Sequence, residues 1–215
     1  VVRDIVSRNQ IRNKRSLDQI IQHYFSNPSS LHSYNSLRKA YGMNTETAAE
    51  YTRYLFESFL VFEVQCYHPN LKVQTRDSKK IYIIDTGLRN AISRSAQDDT
   101  GKLAENVVFL QLLRLGKDVC YFKRKQDVDF LEIVQGKPVA AIQVCYDEMI
   151  EKKTFDRETD ALIECLSETK LKKGLIITRN REEIISIGKY IIEYIPLFKW
   201  LVLSAEKMMV LLYSK

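Results

Sequence analysis

The stretch from Gly101 to Tyr146 constrains the fold more than any other part of this chain. Over Gly101–Leu115 the apolar residues Leu103, Ala104, Val107, Val108, Leu110, Leu112 and Leu115 occupy nearly every helical face. That pattern predicts a buried helix, with Glu105 at the edge of its apolar stripe. Asp118–Phe122 and Val128–Val134 then read as strands, Gln135-Gly136-Lys137-Pro138 as a turn, and Val139–Cys145 as a third strand. Strand side chains alternate, so Asp127, Asp129 and Leu131 share one face. On the next strand Ala141, Gln143 and Cys145 share a face, with Ile142 and Val144 opposite. A helix carrying a carboxylate, then a hairpin carrying Asp on one strand and Gln-x-Cys on the other, is expected to gather Glu105, Asp129, Gln143 and Cys145.

Downstream, Asp147–Thr154 reads as a charged loop and Phe155–Thr169 as an amphipathic helix with Phe155, Leu162, Cys165 and Leu166 inward. Lys170, Lys172 and Lys173 complement its C-terminal dipole, and Gly174 reads as its stop. Leu175–Thr178 is a short strand apolar on both faces, Tyr190–Ile195 another, and Pro196 opens a last helix over Leu197–Leu203. The pattern predicts a mixed α/β core of three layers.

Upstream, Val1–Ile11 reads as a helix followed by a basic connection. Arg8, Arg12, Lys14 and Arg15 have no acidic residue between Asp4 and Asp18, which makes them the candidate nucleic-acid contacts, although so short a charge run reads first as a solvated linker. Ser16-Leu-Asp-Gln19 has capping-box spacing and is expected to open a helix to Ser26, broken by Asn27-Pro28. Tyr34–Tyr41 is a helix stopped by Gly42, and Asn44 or Thr45 caps a third helix to Ser58. Leu60–Tyr67 and Lys79–Ile84 follow as strands. Asp85 is expected to cap a short helix to Ser93, and Ser95–Thr100 to join two domains. Three short helices and a two-stranded wing predict a winged helix-turn-helix, whose third helix often enters the DNA major groove. Here Ala48, Tyr51, Leu55 and Phe59 form the expected buried face, and Glu46, Glu50, Arg53 and Glu57 the outer one. Three carboxylates and one guanidinium repel phosphates more than they attract them, so this face is expected to meet protein.

The residue order also carries a resemblance. Lys80-Ile-Tyr-Ile-Ile-Asp85-Thr-Gly87-Leu, Gly101-Lys-Leu-Ala-Glu105-Asn, Asp127-Val-Asp129-Phe and Ile142-Gln-Val resemble the domain of unknown function that follows the ATPase core in a large family of prokaryotic AAA-type ATPases. The segment from Gly101 resembles the PD-(D/E)xK nuclease fold, in which a helix Glu, a strand Asp and a Glu-x-Lys bind metal and place a water against a phosphodiester. That resemblance implies a degenerate catalytic set of Glu105, Asp129, Gln143 and Cys145, with Glu105 and Asp129 the metal ligands and Mg²⁺ the cofactor if the site were active. It further implies an ATP-binding core upstream of Val1. The chain opens without Met and contains no GxxxxGK[ST], so it reads as a fragment that holds no cofactor of its own.

The expected division is therefore 1–14 as the tail of an upstream domain or linker, 15–86 as the winged helix, 87–99 as a linker helix, and 100–215 as a three-layer, restriction-endonuclease-like α/β domain. Gln143 still offers a carbonyl oxygen to a metal, but a thiol at position 145 cannot supply the missing lysine charge. Lys123 or Lys125, just before Asp127, is the nearest replacement. Two roles follow: a non-catalytic module of an AAA-type ATPase for docking, oligomer contacts or nucleic-acid sensing, or a metal-dependent DNA endonuclease. The expected partners are the upstream ATPase core, a second copy of the chain, and DNA. Hydrophobic residues at 45% with 28% charged are ordinary for a globular protein, and the net charge of +6 permits but does not demand a nucleic-acid partner. Four cysteines without CxxC spacing favour reduced thiols and a cytoplasmic setting. No apolar run is long enough for a membrane span.

Overall fold

Asn13 starts the first long helix, because its carboxamide oxygen accepts the Ser16 N–H at 3.1 Å. The helix therefore begins at Lys14, a turn's breadth earlier than the Ser16 capping spacing predicts. The computed structural model describes residues 2–11, 13–69, 78–93, 99–146 and 152–202, with side chains from residue 5 onward and, in the last segment, from 156. The expected contact Arg12, the inward Phe155, and most of the joins at 95–98 and 147–151 lie outside the described residues or side chains. Two mixed α/β units make up the chain. One is Val1–Val64 with Asp77–Asp98; the other is Gln65–Arg76 with Asp99–Lys215.

The first unit runs α1 (Val2–Arg8), α2 (Lys14–Ser26), β1 (Ser30–His32), α3 (Tyr34–Tyr41), α4 (Thr45–Glu57), β2 (Val61–Val64), β3 (Lys79–Ile83) and α5 (Thr86–Ile92). Its antiparallel sheet has the order β1-β3-β2. Leu17, Ile20, Ile21, Tyr24 and Phe25 of α2 follow helical spacing and form the floor of the core, which Leu37, Ala48, Leu55, Val61 and Ile81 complete. Ile5 and Ile11 are buried in this same core, and Leu88 and Ile92 of α5 pack against it. The segments expected as an upstream tail and a linker helix thus contribute apolar side chains here. Asn44 and Asp85 cap α4 and α5 as expected, and Gly42 ends α3 with φ 68°.

Phe59 departs from the expected buried face of α4. It has φ 55°, and its ring is 69% exposed. The chain turns through the left-handed region here to enter β2, which carries the ring away from the Ala48–Leu55 stripe. Glu63 on β2 sits in a polar cluster: Lys79 Nζ donates to it at 2.7 Å and the Tyr34 hydroxyl at 2.9 Å, and His32 Nε2 lies 3.2 Å away, off a hydrogen-bond line. Burial alone would raise the Glu63 carboxyl, but the His32 and Lys79 contacts outweigh it and hold it down at about 2.

The second unit runs α6 (Thr100–Arg114), β4 (Val119–Lys123), β5 (Asp127–Val134), β6 (Lys137–Cys145), α7 (Lys152–Thr169), β7 (Lys173–Thr178), β8 (Glu183–Ile187), β9 (Tyr190–Pro196) and α8 (Leu197–Val202). Six strands form one sheet in the order β4-β5-β6-β7-β9-β8. β4, β5 and β6 are antiparallel, β6-β7-β9 parallel, and β8 returns antiparallel at the edge. Gln135 and Gly136, with φ 51° and 74°, make the tight turn between β5 and β6. Phe130 stacks on Phe109 of α6, whereas its neighbour Leu131 packs with Leu162 and Leu166 of α7. Because strand neighbours point to opposite faces, α6 and α7 lie on opposite sides of the sheet.

Gly174 is not the stop of α7. Lys170 turns out of that helix at φ 62°, and Gly174 lies within β7, where an added Cβ would stand 2.8 Å from a Leu162 methyl. The glycine lets helix and strand approach. Gly174→Ala is expected to cost about 1–3 kcal/mol through overpacking, read as a lower urea midpoint in Trp200 fluorescence.

Candidate functional site

β5 and β6 are paired through Phe130 and Ile142, and the ladder then gives way to side chains. Gln143 Oε1 accepts the Asp129 backbone N–H at 3.0 Å, and Asp129 Oδ2 accepts the Val144 backbone N–H at 2.9 Å. Each side chain satisfies a backbone donor of the opposite strand. The other end of the Gln143 amide, Nε2, donates to Glu158 Oε2 on α7 at 2.6 Å. Glu158 Oε1 in turn accepts from Arg157 at 2.7 Å. Asp129 and Gln143 are both more than nine-tenths buried.

Cys145 lies on the same face two residues further along and belongs to the apolar core beneath α7. Burial pushes its thiol up to about 12, with the neighbouring Glu158 and Asp129 charges adding to the effect. It is neutral at physiological pH and offers neither a cation nor a thiolate. The four cysteines are all buried and unbridged, at Cys66, Cys120, Cys145 and Cys165.

An open cavity of about 480 Å³ covers this corner, floored by Asp129, Gln143 and Glu158 and rimmed by Lys123, Lys125 and Arg157. Arg124 also lines it, held by Glu168 at 2.9 Å. Glu105 does not. It is buried one turn before Phe109, on the helix that packs against the other face of the sheet. The structure therefore brings Asp129, Gln143 and Cys145 together on one face and sets Glu105 apart from the cavity. Among the described residues no three of His, Cys, Asp and Glu come close enough to hold a metal ion. One Asp129 oxygen is already taken by a backbone N–H, and Gln143 has spent its carbonyl oxygen in the same way. That donor set does not fit Mg²⁺, which requires near-octahedral oxygen coordination with at least one or two free carboxylates.

The candidate nucleic-acid contacts Arg8, Lys14 and Arg15 are exposed on α1 and the start of α2. Among the described residues none of them is paired with a carboxylate.

Residues 1–99 match a domain of unknown function, DUF8612. The match runs to the end of the first unit, whose last segment closes at Asp98. The chain is 32% identical over 214 residues to the uncharacterized protein MJ1544 of Methanocaldococcus jannaschii, covering 92% of this chain and 47% of that protein. It is 28% identical over 149 residues to an uncharacterized protein of Haemophilus influenzae, covering 68% of this chain and 33% of that one. The chain thus spans less than half the length of these curated relatives. No solved structure matches it. Among the described residues no helix is long and apolar enough to cross a membrane.

Glu158 is the site residue that motif reading passes over, since Arg157-Glu158 reads as a surface ion pair. A signal was present: Glu158 stands four residues before Leu162 and seven before Cys165, on the inward stripe of α7. A carboxylate on a core-facing stripe must meet a donor, and Gln143 is that donor.

Proposed function

We propose that this chain is a non-catalytic module of an AAA-type ATPase, with a winged helix in the first unit and a nuclease-type core, stripped of its chemistry, in the second. The winged-helix reading is supported by the helical order of the first unit and its β1-β3-β2 sheet. The nuclease-type reading is supported by a helix, three antiparallel strands, a second helix and a parallel strand in sequence. One observation carries the loss of chemistry. Both ends of the Gln143 amide are committed to Asp129 and Glu158, and the position two residues on holds a neutral buried thiol. A hydrolytic site needs free ligands for metal and a cation beside the scissile phosphate. In this reading the ATP-binding core belongs to the longer protein, and the acidic outer face of α4 docks on it or on a second copy rather than on DNA. Glu50 and Glu57 on that face are exposed.

The second reading, a metal-dependent endonuclease, draws on Lys123 at the end of β4 and Lys125 in the turn before β5, both at the cavity rim, either of which would supply the cation. Plasmid nicking with Mg²⁺ and separately with Mn²⁺ decides between the two. Wild type is expected to show no cleavage above the Asp129→Ala background. Cleavage that Asp129→Ala abolishes would overturn the non-catalytic reading. Cleavage confined to the pair Gln143→Glu, Cys145→Lys would support a site that lost its chemistry and kept its fold.

A further inference from the structure

The first unit holds an open cleft of its own. It measures about 760 Å³ and lies between the α1–α2 connection and the α3–α4 corner. That volume suits a small polar ligand. Three tyrosines, Tyr41, Tyr51 and Tyr54, line one side, and the Tyr51 and Tyr54 rings stack with centroids 6.2 Å apart. Side-chain amides line much of the rest.

Two of those amides are fixed in place. Asn13 and Asn44 each commit their carbonyl oxygen to a helix N–H, at 3.1 and 2.6 Å, which holds the carboxamide in one orientation. Among the described residues their NH₂ groups have no partner. Ser16, between them in the cleft wall, is 6% exposed as a residue, and among the described residues its hydroxyl has no hydrogen-bond partner. A Ser hydroxyl in the cleft wall can donate to a group bound there. Arg15 lies at the rim, and Arg8 and Lys14 are exposed one residue from cleft residues Asn9 and Arg15. Glu50, the carboxylate among the described lining residues, accepts the Tyr54 hydroxyl at 2.6 Å.

We propose that this cleft binds single-stranded nucleic acid, taking a base against Tyr54 and Tyr41 while the phosphates run past Arg8, Lys14 and Arg15. Every base offers a π-face to stack and ring or carbonyl acceptors for amide and hydroxyl donors. The cations lie along the chain beside the cleft rather than clustered inside it. That spacing follows a backbone passing by, whereas a free triphosphate calls for a compact, glycine-rich cradle that is absent from the sequence. A duplex keeps its bases stacked and cannot offer one to a tyrosine. This inference does not depend on whether the second unit is catalytic or silent, and it requires that any docking of the α4 outer face leave the Glu50 and Tyr54 side of that helix open.

Fluorescence anisotropy tests it on the full chain, with labelled twelve-nucleotide oligo-dT and oligo-rU, a twelve-base-pair duplex and dTMP as probes. Single strands are expected to bind more tightly than the duplex, and dTMP to compete weakly. Tyr54 is half-buried and packs against the edge of the core, so circular dichroism and a urea midpoint confirm that each variant is folded before binding is compared. Tyr54→Ala is expected to weaken single-strand binding about tenfold or more, whereas Tyr54→Phe retains it. Arg15→Ala should weaken binding and lower the slope of log K against log salt by about 0.7. The proposal is overturned if the duplex binds as well as the single strand, if dTMP competes as strongly as the oligonucleotide, or if Tyr54→Ala binds like wild type. Absence of binding to either single strand at 50 mM salt overturns it as well.

Discussion

Gln143→Glu should destabilise the second unit by about 2–4 kcal/mol at pH 8 and by much less at pH 5. The substitution is isosteric and keeps the acceptor for the Asp129 N–H. It removes the donor that Gln143 Nε2 gives Glu158 at 2.6 Å and places a second carboxylate there. Two buried carboxylates in contact cannot both ionise, so the new group's folded pKa lies above its unfolded value. Between those two values the folded state binds more protons than the unfolded state, and stability falls as pH rises through that interval. Below it, the protonated carboxyl donates to Glu158 much as the amide does. Trp200 is the single tryptophan, is fully buried and belongs to this unit, so its fluorescence during urea denaturation reports the change. The reciprocal exchange, Gln143→Glu with Glu158→Gln, should recover most of the loss because it restores one donor and one acceptor to the pair. A single variant with the wild-type midpoint at pH 8 would show that the bond between Gln143 and Glu158 carries no weight.

Much of this corner was legible in the chain before its structure. Period-two alternation put Asp129, Gln143 and Cys145 on one face, and the structure keeps them there, because register fixes facing for every residue of a strand. Glu105 is a different case. Local periodicity says that its helix is buried, but not which face of the sheet it covers. That is settled by packing between elements far apart in sequence, such as Phe109 on Phe130. Strand β1 escaped notice for a related reason: three residues, Ser30–His32, are too few to show a period, and they are held by pairing with Ile81, Lys80 and Lys79. Strand β8 carries two glutamate or serine positions among its isoleucines and is exposed at the sheet edge, so neither face reads as core. At Gly174 the residue type was read as a helix stop when its lack of a Cβ served Leu162 instead. The cleft of the first unit is assembled from residues between Asn9 and Tyr54 that share no sequence spacing, and charge singles out only Arg15 and Glu50 among them, for opposite reasons.

Acid should unravel the first unit through Glu63. Its folded carboxyl is held at about 2 against an ordinary 4.5, by Lys79 and His32 acting against burial. A depressed carboxyl contributes stability that is fully present above its unfolded value and is lost as pH falls through the folded one. The window here runs from pH 4.5 down to about 2, and a shift of that size corresponds to about 3 kcal/mol. Glu63→Gln should therefore cost the first unit about 3 kcal/mol at pH 7, with the difference from wild type shrinking toward zero near pH 2. The amide keeps one acceptor for Tyr34 but loses the charge facing Lys79, whose side chain is itself only 22% exposed. Amide exchange along Val61–Val64 and Lys79–Ile83 reads this locally, since those strands are bonded to each other across the cluster. Other carboxylates titrate over the same range in both proteins, so the difference between them isolates Glu63. A gap between wild type and Glu63→Gln that stays constant from pH 7 to pH 2.5 would mean that the cluster stabilises the sheet through packing and not through the charge of Glu63.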